Sequence, residues 1–168
     1  MNNSNEGCHT FHGKYRGIVT DNQDPEGRGR VRVRLQHVFG EDDSGWAMPS
    51  VPYAGDGVGL YLIPPISALV WVEFEQGDPD YPIWTGCFWG SRDEVPEGAS
   101  GPEIKVLKTD VGTITLDDSP GGGGITIETK DGMKITMDSQ GIEITNGVAK
   151  ISLSGLKVSI NDGALEVD

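Results

Sequence analysis

Short alternations of apolar and polar residues recur along this chain. Nowhere do apolar residues repeat at i, i+3, i+4 and i+7 over a stretch long enough for a core helix. A period of two puts successive side chains on opposite faces of a strand, so the pattern predicts an all-β protein. "YRGIVTD" (15–21), "RVRVRLQHV" (30–38), "GVGLYLIPP" (57–65), "ALVWVEFEQGD" (68–78) and "YPIWTGCFWG" (81–90) read as strands, separated by turn clusters such as "NQDPEGRG". Five or six strands in so short a stretch are too few for a sandwich of the immunoglobulin kind. A small closed or partly open barrel fits, because closure removes exposed sheet edges. The expected layout is an N-terminal arm over 1–14, a barrel over 15–90, a polar Gly/Pro-rich linker over 91–103 and a second β unit over 104–168.

The second unit has its own grammar. Its apolar residues pair at i, i+2: Ile104/Val106, Ile114/Leu116, Ile125/Ile127, Ile135/Met137, Ile142/Ile144, Ile151/Leu153, Val158/Ile160 and Leu165/Val167. Thr, Lys, Glu and Ser fill the other face. Glycines at 124, 132, 141, 147, 155 and 163 punctuate the units at spacings of 8, 9, 6, 8 and 8, where tight turns or close backbone approach need them. No aromatic residue occurs there, so each unit offers one narrow apolar strip with nothing large to pack on it. A single-chain solenoid needs a coil of about 20 residues or more to surround its own core. A unit of eight supplies roughly one wall. Three chains wound around one axis would supply three walls, which predicts a C-terminal triple-stranded, intertwined β-helix. Its expected trimer core is Ile125, Ile127, Ile135, Met137, Ile142, Ile144, Ile151, Leu153, Val158, Ile160, Leu165 and Val167. The repeat is uniform because a rod needs length and stiffness more than varied side chains. The register between Gly101 and Gly124 stays open, since the spacing there is irregular.

Charge narrows the partners. The formal net charge is −13, and both parts are acidic: 15 acids against 7 bases in the first 100 residues, 11 against 6 in the rest. Duplex DNA and anionic lipid are bound through clustered Lys and Arg, so no nucleic-acid partner is expected. The one basic run, "RGRVRVR" (28–34), reads as a solvated strand face rather than an anion site. All four tryptophans (46, 71, 84, 89) lie in the barrel region. They suit a core and a docking face better than a base-stacking platform, which would want a basic groove. Two cysteines, Cys8 and Cys87, imply no disulfide framework. The N-terminus lacks the basic and apolar regions of a secretory signal, and no apolar run approaches a membrane span. Assembly in the cytoplasm without a signal peptide is expected.

Candidate chemistry is sparse. "CHTFH" (8–12) has crude metal-ligand spacing, with no evident fourth ligand. Asp78 and Asp80 in "GDPDYP" read as a turn rather than calcium ligands. "SPGGGG" (119–124) lacks the Lys-Ser/Thr of a phosphate loop, and His37 has no recognisable nucleophile partner. No catalytic, cofactor or metal site is expected, and the chain is not read as an enzyme.

The ordered stretches "G.V.DN.DPEGRGRVRV", "W..P..PYAG...G" and "P..ALVWVEFE.GD.D.P.W.G", followed by the glycine-punctuated tail, resemble the central spike of contractile injection systems. This family includes phage baseplate assembly protein V, the phage cell-puncturing spike and the VgrG spike of type VI secretion. The resemblance covers 15–90 by motif and 104–168 by pattern. It implies an oligonucleotide/oligosaccharide-binding (OB)-fold barrel, a homotrimer, and a rod driven through the target envelope by sheath contraction, touching the target membrane only transiently. Such a protein works in a virion or an extracellular or secretion-type injection particle. Some phage spikes carry a muramidase between barrel and rod, where this sequence has only 91–103, without the paired carboxylates of glycoside cleavage. VgrG spikes fuse hub domains ahead of the barrel. Here about 14 residues precede it, so the hub is expected as a separate protein on the barrel side. The tail "DGALEVD" lacks the His-x-His pair that binds iron at some phage tips, so a separate PAAR-type tip protein is expected at the C-terminal end. The alternative from another class is an OB-fold binding module for glycan or nucleic acid, with the tail as a trimerising stalk.

Overall fold

The alternation in "RVRVRL" sorts as its period demands: Val31, Val33 and Leu35 are buried, while Arg32 and Arg34 point to solvent. The computed structural model describes residues 10–167, with side chains described through Leu165. The chain divides after Arg92 into two units.

The first unit contains β1 (Tyr15–Asp21), β2 (Arg32–Arg34), the helical turn α1 (Gln36–Phe39), β3 (Met48–Pro49), β4 (Ala54–Gly55), β5 (Val58–Gly59), β6 (Leu69–Phe74) and β7 (Pro82–Phe88). Five of these strands form one sheet in the order β2-β1-β6-β7-β3, antiparallel except for β3 on β7. Val31 and Ala47 exchange two backbone hydrogen bonds of 3.2 and 2.8 Å, which join the two ends of the curled sheet. Register shifts at Val19/Asp21 and Trp71/Val72 add the local bend that such curling needs. Inside lie Val19, Val31, Val33, Leu35, Ala47, Val70, Val72, Phe74 and Trp84. Phe11 of the arm packs on this core with its ring 5.8 Å from Phe74, and its N–H donates to the Gly77 carbonyl at 2.8 Å.

Two expectations need correction. The strand read over 30–38 stops at Arg34, and residues 36–39 form a helical turn closed by the Phe39 N–H bond to the Leu35 carbonyl (2.9 Å). The strand read over 57–65 is only Val58–Gly59, half of the small β4–β5 hairpin. Gly57 sits at φ 68 in its turn, and Pro64–Pro65 cannot donate to a ladder. The alternating Val58, Leu60 and Leu62 are exposed.

The "DPEGRGR" loop is clasped by Asp24. Its Oδ1 accepts from Arg30 Nε (3.0 Å) and Nη2 (2.6 Å) and from the Glu26 N–H (3.0 Å). Its Oδ2 accepts from the N–H groups of Arg28 (2.8 Å) and Arg30 (3.2 Å). Only 3% of the Asp24 side chain is exposed. The Arg30 guanidinium, helped by the three backbone N–H donors, holds its carboxyl well below the usual carboxylate range against the opposing effect of burial. A carboxyl depressed on folding stabilises fully above its unfolded pKa, and that contribution drains away as pH falls below about 4. Asp24→Asn should therefore melt below the parent at pH 7, and the gap should narrow as pH is lowered through the acid range. A gap independent of pH would remove Asp24 ionisation from the account.

The second unit holds β8 (Ile104–Lys108), β9 (Gly112–Asp117), β10 (Gly124–Thr129), β11 (Lys134–Asp138), β12 (Gly141–Thr145), β13 (Lys150–Ser154), β14 (Lys157–Ile160) and β15 (Leu165–Val167). They form one antiparallel meander in strict chain order. Gly141 shows why glycine stands at a strand start: its φ is 144, and a Cβ there would run into the Leu153 carbonyl oxygen of the adjacent strand. Gly141→Ala should cost roughly 1–3 kcal/mol in backbone strain before any strand displacement. A drop in the melting temperature of the C-terminal unit is the measurable result.

Candidate functional site

The meander has two unlike faces. Cross-strand register aligns its apolar residues into two files. One runs Ile114, Ile127, Ile135, Ile144, Ile151, Ile160 and Leu165; the other runs Leu116, Ile125, Met137, Ile142, Leu153, Val158 and Val167. Directly opposed residues share a face of an antiparallel pair, so all twelve residues of the expected core fall on one side of one sheet. Ile135, Met137 and Ile160 are half-buried. The remainder with described side chains are exposed by 37–56%. The Val167 backbone pairs with Val158, and its side chain lies outside the described ones. A shallow trough of about 510 Å³ crosses this face, floored by Ile127, Ile135, Ile144 and Ile151.

The opposite face carries Thr115, Thr126, Thr136, Glu143, Ser152 and Ser159 in successive register. Next to it Lys150 meets Asp162 at 2.5 Å and Glu143 at 3.6 Å, and these acids raise its pKa. One face is polar and half-buried. The other is an apolar layer that stays largely exposed among the described residues, and a sheet with one apolar face needs another element to bury it.

Sequence spacing missed one member of this face. In β8 it is Leu107 that opposes Ile114, with Lys105 opposite Leu116, whereas Ile104 and Val106 point to the other side. The i, i+2 pairing of Ile104 with Val106 is real as alternation but belongs to the polar face. The clue was Leu107 itself, an apolar residue out of phase with that pair.

The other candidates resolve separately. Cys8 and His9 lie outside the described residues. Asp78 Oδ1 accepts the Asp80 N–H at 3.0 Å, a turn geometry. Residues 119–123 form the β9–β10 turn, where hydrogen bonds from Ser119 lower the Asp117 pKa. Among the tryptophans, Trp84 is core, its indole N–H donating to the Gly29 carbonyl at 3.1 Å. Trp46 carries the guanidinium groups of Arg30 and Arg32 over its ring at 5.7 and 5.2 Å. Trp71 sits 4.7 Å from Phe88 with Arg16 over it at 5.5 Å. The arginine run is therefore neither bare nor free: Arg34 pairs with Asp43 at 2.9 Å, and Arg28 with Glu26 at 3.2 Å.

Comparison with known families matches both units. Residues 15–89 match the type VI secretion system/phage-baseplate injector OB domain, and residues 104–166 match the phage baseplate V C-terminal trimerisation domain. Among curated proteins, the type VI secretion system spike protein VgrG4b of Pseudomonas aeruginosa is 34% identical over 63% of this chain and 13% of its own length. VgrG5 of the same organism is 33% identical over 66% of this chain and 14% of its own length. VgrG1a is 38% identical over 40% of this chain and 11% of its own length. The chain thus spans about one seventh or less of the length of these relatives. With an injector OB domain followed by a trimerisation domain, nearly all-β, the chain belongs to the phage baseplate V/VgrG family of injection-machine spike proteins.

Proposed function

We propose that this chain is a structural spike at the centre of the baseplate of a contractile injection machine, working as a homotrimer. The observation that carries this reading is the pair of apolar files left open on one face of the C-terminal sheet. Three such walls facing one axis would bury both files and leave the Thr/Ser/Glu faces in water, with Ile125, Ile127, Ile135, Met137, Ile142, Ile144, Ile151, Leu153, Val158, Ile160, Leu165 and Val167 as the core. Three walls closed on one another have no free lateral edge, which suits a rod that transmits force. On sheath contraction that rod pierces the target envelope mechanically and touches the membrane only in passing. A separate hub protein binds at the barrel end, and a PAAR-type tip protein covers the C-terminal end.

The test is solution mass by light scattering on the purified chain. Three times the 18.0 kDa monomer supports the reading. A folded monomer overturns it and favours the binding-module alternative.

A further inference from the structure

The barrel carries an apolar arm that its own core does not use. Along the β4–β5 hairpin and the residues after it, Tyr53, Val58, Leu60, Tyr61 and Leu62 are 46–68% exposed. Its base is fixed. The Leu60 N–H donates to the Tyr53 carbonyl at 2.9 Å. Ile63 and Tyr61 lie over Gly29 so closely that a Cβ there would meet Ile63 Cδ1 at 2.9 Å. Asp56, in the hairpin turn, is the one charged residue between 51 and 66. A contiguous apolar patch of this kind on a fixed scaffold marks a contact surface.

A groove of about 730 Å³ opens elsewhere on the same barrel, between β1 and α1. Ile18, Leu69 and Phe88 line its apolar part, and Ile18 is 46% exposed. Lys14, Arg16, Arg34 and His37 stand around it against a single acid, Glu41, a basic concentration in a chain of net charge −13. Lys14 and Arg34 are paired with Glu73 and Asp43. Arg16 is held over the Trp71 and Phe88 rings and enters no ion pair among the described residues.

We propose that in the trimer the hairpin arm of each protomer seats in the β1–α1 groove of the next, with Asp56 turned toward Arg16. The proposal rests on the trimer reading above. Threefold symmetry makes every contact away from the axis heterologous, so two different patches of one chain must meet. The arm and the groove are such a pair: both are apolar and exposed, and their charges are opposite. A tail clamp would hold the three barrels at high effective concentration, so even a modest contact would form.

The experiment uses the full-length chain with Cys8→Ser and Cys87→Ser, to which Val58→Cys and Ile18→Cys are added together or singly. After mild oxidation, the double variant should give covalent trimer on a non-reducing denaturing gel, and each single variant nothing beyond dimer. Asp56→Arg should lower the cross-linked fraction about two- to fivefold, as for an exposed ion pair, and Arg16→Glu in the same chain should restore it. Light scattering on the same samples separates the two readings. Trimer mass without covalent trimer, or an intrachain disulfide, overturns the arm-in-groove contact and leaves the trimer standing. Monomer mass overturns both.

Discussion

Ile135→Asp should leave the chain monomeric at neutral pH. Ile135 stands in the middle of the first apolar file, opposite Ile127 on one side and Ile144 on the other. In a three-walled rod one substitution becomes three carboxylates at one level near the axis. Each loses its hydration at an effective cost of several kcal/mol, and like charges add to it. Lys134 and Lys150 start from the opposite face by the alternation of their strands, and Lys105, which shares the apolar face, stands in β8 opposite Leu116 in the other file. Light scattering should return the 18.0 kDa monomer. Acidification toward about pH 5 should recover part of the trimer, because desolvated, mutually repelling carboxyls take up protons above their usual range. Thr136→Asp, on the polar face between Thr126 and Glu143, should leave the mass unchanged. Normal assembly of Ile135→Asp would put Ile135 in solvent and sink the three-wall arrangement.

Deleting residues 104–168 should abolish stable trimers while sparing the barrel fold. The barrel core is self-contained, with nine buried apolar residues from strands and loops of the first unit. It should keep its circular dichroism signature and melt cooperatively. What it loses is the clamp. Tethering through a second site typically raises apparent affinity by about 10²–10⁴-fold, so barrel-to-barrel contacts alone should dissociate at micromolar concentration. A heat-resistant trimer of the truncated chain would move the principal clamp from the tail to the barrel.

The tail was the most legible part of the sequence. From Gly124 onward its apolar residues alternate and glycines recur every six to nine residues, so period alone groups the side chains by face, whereas the irregular spacing between Gly101 and Gly124 leaves the register there open. It failed only in β8, where Ile104 and Val106 alternate correctly but the β8–β9 register brings Leu107 to the apolar side. Register is a property of two strands, and one strand's period cannot supply it. The barrel was legible where alternation coincides with burial, as in Val31, Val33 and Leu35. It was misread at Val58, Leu60 and Leu62, which alternate just as cleanly and remain exposed. An apolar residue destined for a neighbouring molecule has the same signature as one destined for its own core. The tryptophans illustrate a third limit: Trp84 fills the core while Trp89 is 60% exposed, and nothing in their immediate neighbours separates the two.

The strict chain order of the C-terminal meander makes length an adjustable quantity. Among the described residues every strand hydrogen-bonds only to the strands before and after it in sequence, so two strands can be gained or lost without rewiring any other pairing. Adjacent strands are about 4.8 Å apart, and each hairpin therefore changes the reach of the wall by about 10 Å. A gain or loss of a single strand would reverse the direction of everything downstream. Duplication of whole hairpins is thus a simple genetic route by which the length of such a wall could change.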